Sequence, residues 1–296
     1  MSNSIFTGCA TAIATPMNSD GSINYDEFGR LIDWQIDNKI DALVICGTTG
    51  ESATMTDDEH VEVLRYGIKR AAKRVPVIAG AGSNDTKYAV DLSIEAEKLG
   101  ADALLHVTPY YNKASQRGLI KHFTAIADAV NIPIMLYNVP SRTGCNISID
   151  TYVELAKHPN IRAVKEASAN MKTVMGIAAK TNLDIYSGND DEALCCLALG
   201  GKGLISVTSN VAPLQKHNEI ACYLEGKREE ALEIARKLFD LDMAMFMDVN
   251  PIPVKEALNL AGFKAGECRL PLCSMSDDMK AKLKAVMEEN GLLNIV

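Results

Sequence analysis

Two hydrophobic rhythms alternate along the chain. Short, almost continuous apolar runs are separated by longer segments in which apolar residues return every three or four positions. Gly8-Cys-Ala-Thr-Ala-Ile-Ala-Thr15 is the first such run and Pro16 stops it. A capping pattern at Asn24-Tyr-Asp-Glu27 then opens a helix with Phe28, Leu31, Ile32 and Ile36 on one face. Asp41 to Cys46 is a second buried run, and Thr56-Asp-Asp-Glu59 caps a helix lined by Val61, Leu64, Ile68 and Ala71. The same reading gives further strands at Val75–Gly80, Ala103–Thr108, Pro133–Tyr137, Ile161–Lys165, Leu183–Ser187 and Lys202–Val207. Tyr88–Leu99, Leu119–Val130 and Thr151–Lys157 are amphipathic segments between them.

Eight apolar strands with helical segments between them predict an α/β fold, a (β/α)₈ barrel. An open doubly wound sheet is the alternative, weakened by the lack of a G-x-G-x-x-G turn after the first strand. Pro213–Leu224 supplies the eighth barrel helix. Beyond it, Lys227–Asp248, a run through Leu260 that follows the Pro251-Ile-Pro253 break, and Met275–Asn290 read as helices only. The expected division is a barrel over 1–224 carrying the site, and a small all-helical region over 225–296.

Composition narrows the function. The net charge of −8 opposes a basic nucleic-acid face. No apolar stretch of about 18 residues exists to cross a membrane as a helix, and the N-terminus has neither a charged n-region nor an apolar h-region, so the expected location is cytoplasmic. The eight cysteines lack C-x-x-C spacing and the five histidines are dispersed, so reduced thiols and no metal are expected.

In a barrel of this kind the carboxyl ends of the strands converge on one face. There the sequence places Gly47-Thr-Thr-Gly-Glu-Ser52, whose glycines let backbone N–H groups turn toward an anion, together with Pro109-Tyr-Tyr111, Tyr137 to Arg142 and Lys165. Each residue alone has an ordinary reading: a surface lysine, packed tyrosines, turn-forming glycines. Together they supply an amine nucleophile, proton carriers and a carboxylate partner, which is the equipment for Schiff-base chemistry on a small keto acid. The amine needs its neutral form, and desolvation at a strand end would provide it. Gly200-Gly201 precedes the last strand, at the opposite mouth, and does not suit the phosphate site that many barrels carry.

Five segments, Gly47-Thr-Thr-Gly-Glu-Ser-Ala-Thr54, Pro109-Tyr-Tyr-Asn112, Tyr137-Asn-Val-Pro-Ser-Arg-Thr-Gly144, Val164-Lys-Glu-Ala167 and Ser187-Gly-Asn-Asp190, resemble the dihydrodipicolinate synthase family of pyruvate-dependent class I aldolases, and the resemblance runs along essentially the whole chain. It implies condensation of pyruvate with L-aspartate 4-semialdehyde on the way to diaminopimelate and lysine, without organic cofactor or metal. Lys165 matches the Schiff-base lysine and Tyr137 the tyrosine that carries protons. Thr48, Thr49 and Tyr111 match a proton relay, the tyrosine being lent across a tight dimer interface. Thr48, Thr49, Gly188 and Ile205 match substrate contacts, and Arg142 matches the arginine for the second substrate's carboxylate. The family's usual assembly is a tetramer, a dimer of tight dimers. Ser52, Ala53, His60, Asn84 and Tyr110 match the site at which lysine inhibits, whereas Asp57 and Tyr88 depart from it where sensitive members carry histidine and glutamate. Weak or absent lysine inhibition is therefore expected. Two readings compete with the condensation: another Schiff-base aldolase acting on a sugar keto acid, and a barrel that binds a keto acid without turnover.

Overall fold

The computed structural model describes residues 4–296. Eight parallel strands close into a barrel in sequence order, β1 (Gly8–Ala12), β2 (Ala42–Ile45), β3 (Val77–Gly80), β4 (Ala103–Val107), β5 (Ile134–Asn138), β6 (Ile161–Glu166), β7 (Asp184–Ser187) and β8 (Gly203–Ser206), with β8 paired back to β1. The open-sheet alternative is thereby excluded. Most strands are trimmed relative to the hydrophobic runs that announced them. The first ends at Ala12 rather than Thr15: Ile13 N makes the last bond to β2, at Val44 O, and beyond it the Ala14 N–H is taken by Asn210 and the Thr15 hydroxyl by Gly50 O.

The helices around the barrel are α1 (Tyr25–Asp37), α2 (Asp57–Ala71), α3 (Thr86–Leu99), α4 (Gln116–Asp128), a single turn α5 (Pro140–Thr143), α6 (Ile149–Leu155), α7 (Met171–Lys180), α8 (Ala193–Ala198) and α9 (Pro213–Leu224). After them come α10 (Arg228–Ala244), α11 (Ile252–Ala261) and α12 (Asp277–Glu289). The Thr56 capping box forms in full: the hydroxyl accepts the Glu59 N–H, and the Glu59 carboxylate accepts the Thr56 N–H. The one expected at Asn24 is only half formed. Asn24 accepts from Glu27 N, but the Glu27 carboxylate turns to Arg30 and the Lys264 N–H. The helix expected over Lys227–Asp248 stops at Ala244, and Pro253 lies inside the first turn of α11, where a missing N–H costs nothing.

Strand side chains alternate between two cores. One set, including Ala10, Val44, Ile78, Met135, Ala163, Tyr186 and Ile205, fills the barrel interior. The other, including Leu43, Leu104, Leu136 and Val164, packs beneath the helices. On β6 this period of two decides the chemistry: Ala163 and Ala167 join the interior cluster, so Lys165 between them is aimed inward. Glu166 falls on the opposite side, buried beneath α6. It accepts from Asn138 Nδ2 at 3.1 Å, the Tyr152 hydroxyl at 3.0 Å and Ser168 N at 2.8 Å.

Candidate active site

Ladder register sets the catalytic level of the barrel. Val107 pairs with Tyr137, Tyr137 with Lys165, and Lys165 with Tyr186, so these residues stand side by side at the carboxyl end. Above them a cavity of about 200 Å³ is lined by Thr48, Thr49, Tyr137, Arg142, Lys165 and Gly188, joined by Val139, Ser141, Ala167, Asn189, Val207, Phe246 and Asn250. That space is smaller than a drug-sized pocket and suits acids of a few carbons.

Lys165 is 5% exposed, and its Nζ lies 4.4 Å from the centre of the Tyr137 ring. Burial pulls its pKa down to about 8; the Asp190 charge opposes that shift and the Arg142 guanidinium adds to it. About a quarter of such amines are neutral at pH 7.5, against about one in a thousand for an unperturbed lysine. Gly188 makes room for the side chain, because a Cβ there would meet Lys165 Cε at 2.9 Å and Ala167 Cβ at 2.7 Å. Burial raises the Tyr137 phenol, partly offset by Arg142 and by a hydrogen bond with Thr48, so at neutral pH it holds a proton to give. Arg142 enters on the α5 turn, which Pro140 starts. Among the described residues no carboxylate pairs with it, and its Nη2 reaches Asn250 O at 3.5 Å.

The arrangement is a desolvated amine, a protonated phenol, two threonines on the Gly47–Ser52 turn and a guanidinium without a carboxylate partner among the described residues, around one small chamber. Six expected residues thus meet: Lys165, Tyr137, Thr48, Thr49, Arg142 and Gly188. Ile205 lies beneath, fully buried in the barrel interior. Tyr111 does not line the chamber; it is 90% exposed, with φ +72°.

The Dihydrodipicolinate synthetase family profile matches residues 5–290. The chain belongs to the dihydrodipicolinate synthase family. It is 51% identical over 290 residues to the 4-hydroxy-tetrahydrodipicolinate synthase of Caldicellulosiruptor bescii, covering 98% of each chain. The crystal structure of dihydrodipicolinate synthase from Aquifex aeolicus superposes with a TM-score of 0.96 at 44% identity, covering 98% of this chain and 100% of that one. The enzyme from Cyanidioschyzon merolae, solved with lysine bound, also gives 0.96, at 40% identity and with the same coverage.

A second cavity, of about 400 Å³, adjoins the first through Thr48, Val139 and Arg142. Ser52, Ala53, His60 and Tyr110 line it together with Asp57 and Tyr88. Asn84 stands behind it and donates to Tyr110 O at 3.2 Å. Burial and the hydrogen-bonded Asp57 carboxylate push the Tyr88 phenol up to about 12.

Sequence reasoning missed everything contributed by the C-terminal segment. Phe246 and Asn250 line the chamber, and Asn250 Nδ2 donates to Thr49 Oγ1 at 3.1 Å. The available signal was the Asn250-Pro251-Ile-Pro253 string, a rigid turn that had to be aimed at something.

Proposed function

We propose that this chain condenses pyruvate with L-aspartate 4-semialdehyde through a lysine Schiff base, as a class I aldolase-type lyase, giving 4-hydroxy-tetrahydrodipicolinate for diaminopimelate and lysine synthesis. The inward, desolvated Lys165 beside Tyr137 carries the reading. The neutral amine adds to the pyruvate keto carbon, and loss of the keto oxygen as water leaves an iminium. Removal of a C3 proton gives an enamine, whose C3 attacks the aldehyde carbon of the second substrate; the aldehyde oxygen takes a proton to become the 4-hydroxyl, and the second substrate's amino group then displaces the Lys165 amine from the imine carbon, closing the ring and freeing the lysine. Tyr137 carries protons to and from these species, with Thr48 as its hydrogen-bonded partner. The Thr48–Thr49 turn holds the pyruvate carboxylate and Ile205 contributes a backbone contact. The barrel expected over 1–224 carries the reacting amine, while the region over 225–296 closes one wall of the chamber.

The test is borohydride reduction with pyruvate. A mass increase on a Lys165 peptide supports the reading, and an unmodified Lys165 under conditions that reduce imines defeats it. Arg142 separates this reaction from that of a sugar keto-acid aldolase, because a guanidinium receives a carboxylate by two parallel hydrogen bonds. Arg142→Leu is expected to raise KM for aspartate semialdehyde at least about 10-fold while pyruvate trapping persists, equivalent to a lost charged hydrogen bond of about 1.5–3 kcal/mol. An unchanged semialdehyde KM would point to the other substrate class.

The active assembly is a homotetramer of tight dimers in the cytoplasm, with Tyr111 completing the relay in the neighbouring subunit. Its support is an exposed tyrosine held in a left-handed conformation by a local net: Asn112 N donates to Tyr110 O at 2.9 Å and Asn112 Nδ2 to Asn84 O at 2.9 Å. We read the second cavity as the lysine site, because Ser52, Ala53, His60 and Tyr110 line it, with the glutamate that would meet an ammonium replaced by Tyr88. The nearby Asp57 carboxylate is engaged by that phenol. Initial rates are therefore expected to fall by less than half at 1 mM lysine; half-inhibition below that concentration would contradict the assignment.

A further inference from the structure

We propose that Lys255 is a positioning residue for this reaction: paired with Glu51, it clamps the Gly47–Ser52 turn so that Thr48 and Thr49 stand correctly in the keto-acid site. The proposal rests on the Schiff-base reading above and adds to it a part for the C-terminal helices.

Glu51 is where the turn is strained. Its backbone is left-handed, at φ +58° and ψ +32°, a region usually left to glycine or asparagine. Such a conformation persists when its surroundings over-determine it. Here they do. Lys255 on α11 donates from Nζ to Glu51 Oε1 at 2.8 Å, and Arg269 N donates to Glu51 Oε2 at 2.9 Å. The same Nζ is held from behind by Glu267 O at 2.7 Å. Both side chains of the pair are 2% exposed, so water does not compete for either charge.

The clamp reaches the threonines through the turn itself. Glu51 N donates to Thr48 O at 3.1 Å, and Gly50 N to Gly47 O at 3.1 Å. Thr15 Oγ1 pins Gly50 O at 2.8 Å from the barrel side. Asn250, at the head of α11, fixes the Thr49 hydroxyl directly. Lys255 within α11 and Asn250 just ahead of it therefore hold the turn at two points, the side chains of Glu51 and Thr49. Without Lys255, Glu51 loses the cation that sets its carboxylate, and the turn is free to relax out of the left-handed conformation.

The experiment is steady-state kinetics on Lys255→Met, with pyruvate trapping in parallel. We expect KM for pyruvate and the pyruvate concentration for half-maximal trapping to rise together at least 10-fold, while KM for aspartate semialdehyde stays within twofold. Because the single variant strands a buried carboxylate at a cost to folding, the double variant Glu51→Gln/Lys255→Met removes both charges; it is expected to fold and to keep the raised pyruvate KM. A wild-type pyruvate KM in the folded double variant, with only thermal stability altered, overturns the positioning role. Trapping of wild-type protein is the control: if it fails, the Schiff-base reading has failed, whereas wild-type trapping beside unchanged variant kinetics refutes the clamp alone.

Discussion

Replacing Lys165 by alanine is expected to abolish trapping of pyruvate and to lower kcat by at least about 10³-fold, since among the described residues no other amine lines the chamber. The barrel should survive. Burying this amine destabilises the fold, because its folded pKa of about 8 lies below the ordinary 10.5. That penalty is fully present below pH 8 and vanishes as pH rises past 10.5. Removing the amine should therefore return up to about 3 kcal/mol at pH 7, offset in part by lost methylene packing. An inactive variant at least as stable as the parent is the outcome expected of a lysine kept for chemistry. The same shift sets the pH dependence of the parent. The neutral amine attacks, so the rate of trapping at low pyruvate should rise about tenfold per pH unit below pH 8 and level off above it. A rate that keeps rising about tenfold per unit through pH 9, with no plateau, would show that the amine is not desolvated.

That lysine was legible by its position: Lys165 ends an apolar run, and the convergence of strand ends placed it on the site face. That it shares the inward side of Ala163 and Ala167 came with the structure. The eight buried runs likewise announced the barrel, and the rule that strand ends converge turned Thr48, Tyr137 and Arg142 into neighbours. The short helices were less legible. In α7 only Val174 and Ile177 are buried, and α8 is six residues long, so neither sustains a helical period. Least visible were Lys216 and Lys255, whose residue type points to solvent. Lys216 has Glu219 one turn along α9, but Asp242 and Glu51, the partners that bury these two lysines, lie on other elements, and no local pattern reveals a charge that tertiary packing has buried.

Lys216 is also where the largest loss of stability is expected. It is fully buried on α9, with Glu219 Oε2 at 2.7 Å, Asp242 Oδ2 of α10 at 3.1 Å and Asp190 Oδ1 at 3.7 Å. One cation thus serves three buried carboxylates. Burial and the neighbouring Asp190 charge push Asp242 up to about 7, and burial raises Glu219. Asp190 is further held by the Ser206 hydroxyl and by Val207 N at 2.9 Å, where β8 meets the catalytic mouth. Lys216→Met should cost about 3–5 kcal/mol at pH 8, because the hole remains apolar in size while the carboxylates lose their counter-charge. The melting temperature should fall by on the order of 10 °C. The sign of the pH response identifies the cause. An acid whose folded pKa is raised binds more protons in the folded chain, so it favours folding as pH falls. In the parent Lys216 opposes that protonation; the variant has only protons to neutralise the acids, so they bind them at higher pH. Its deficit should therefore shrink between pH 8 and pH 6, and Asp242→Asn added to Lys216→Met should recover part of it at pH 8. A deficit that stays constant or deepens toward pH 6 would assign the loss to packing rather than to stranded charge. Since the Asp190 charge also raises the basicity of Lys165, loss of its internal cation should leave Lys165 more often protonated at neutral pH. The folded fraction of Lys216→Met should then trap pyruvate more slowly at pH 7 than at pH 9, by a wider margin than the parent does.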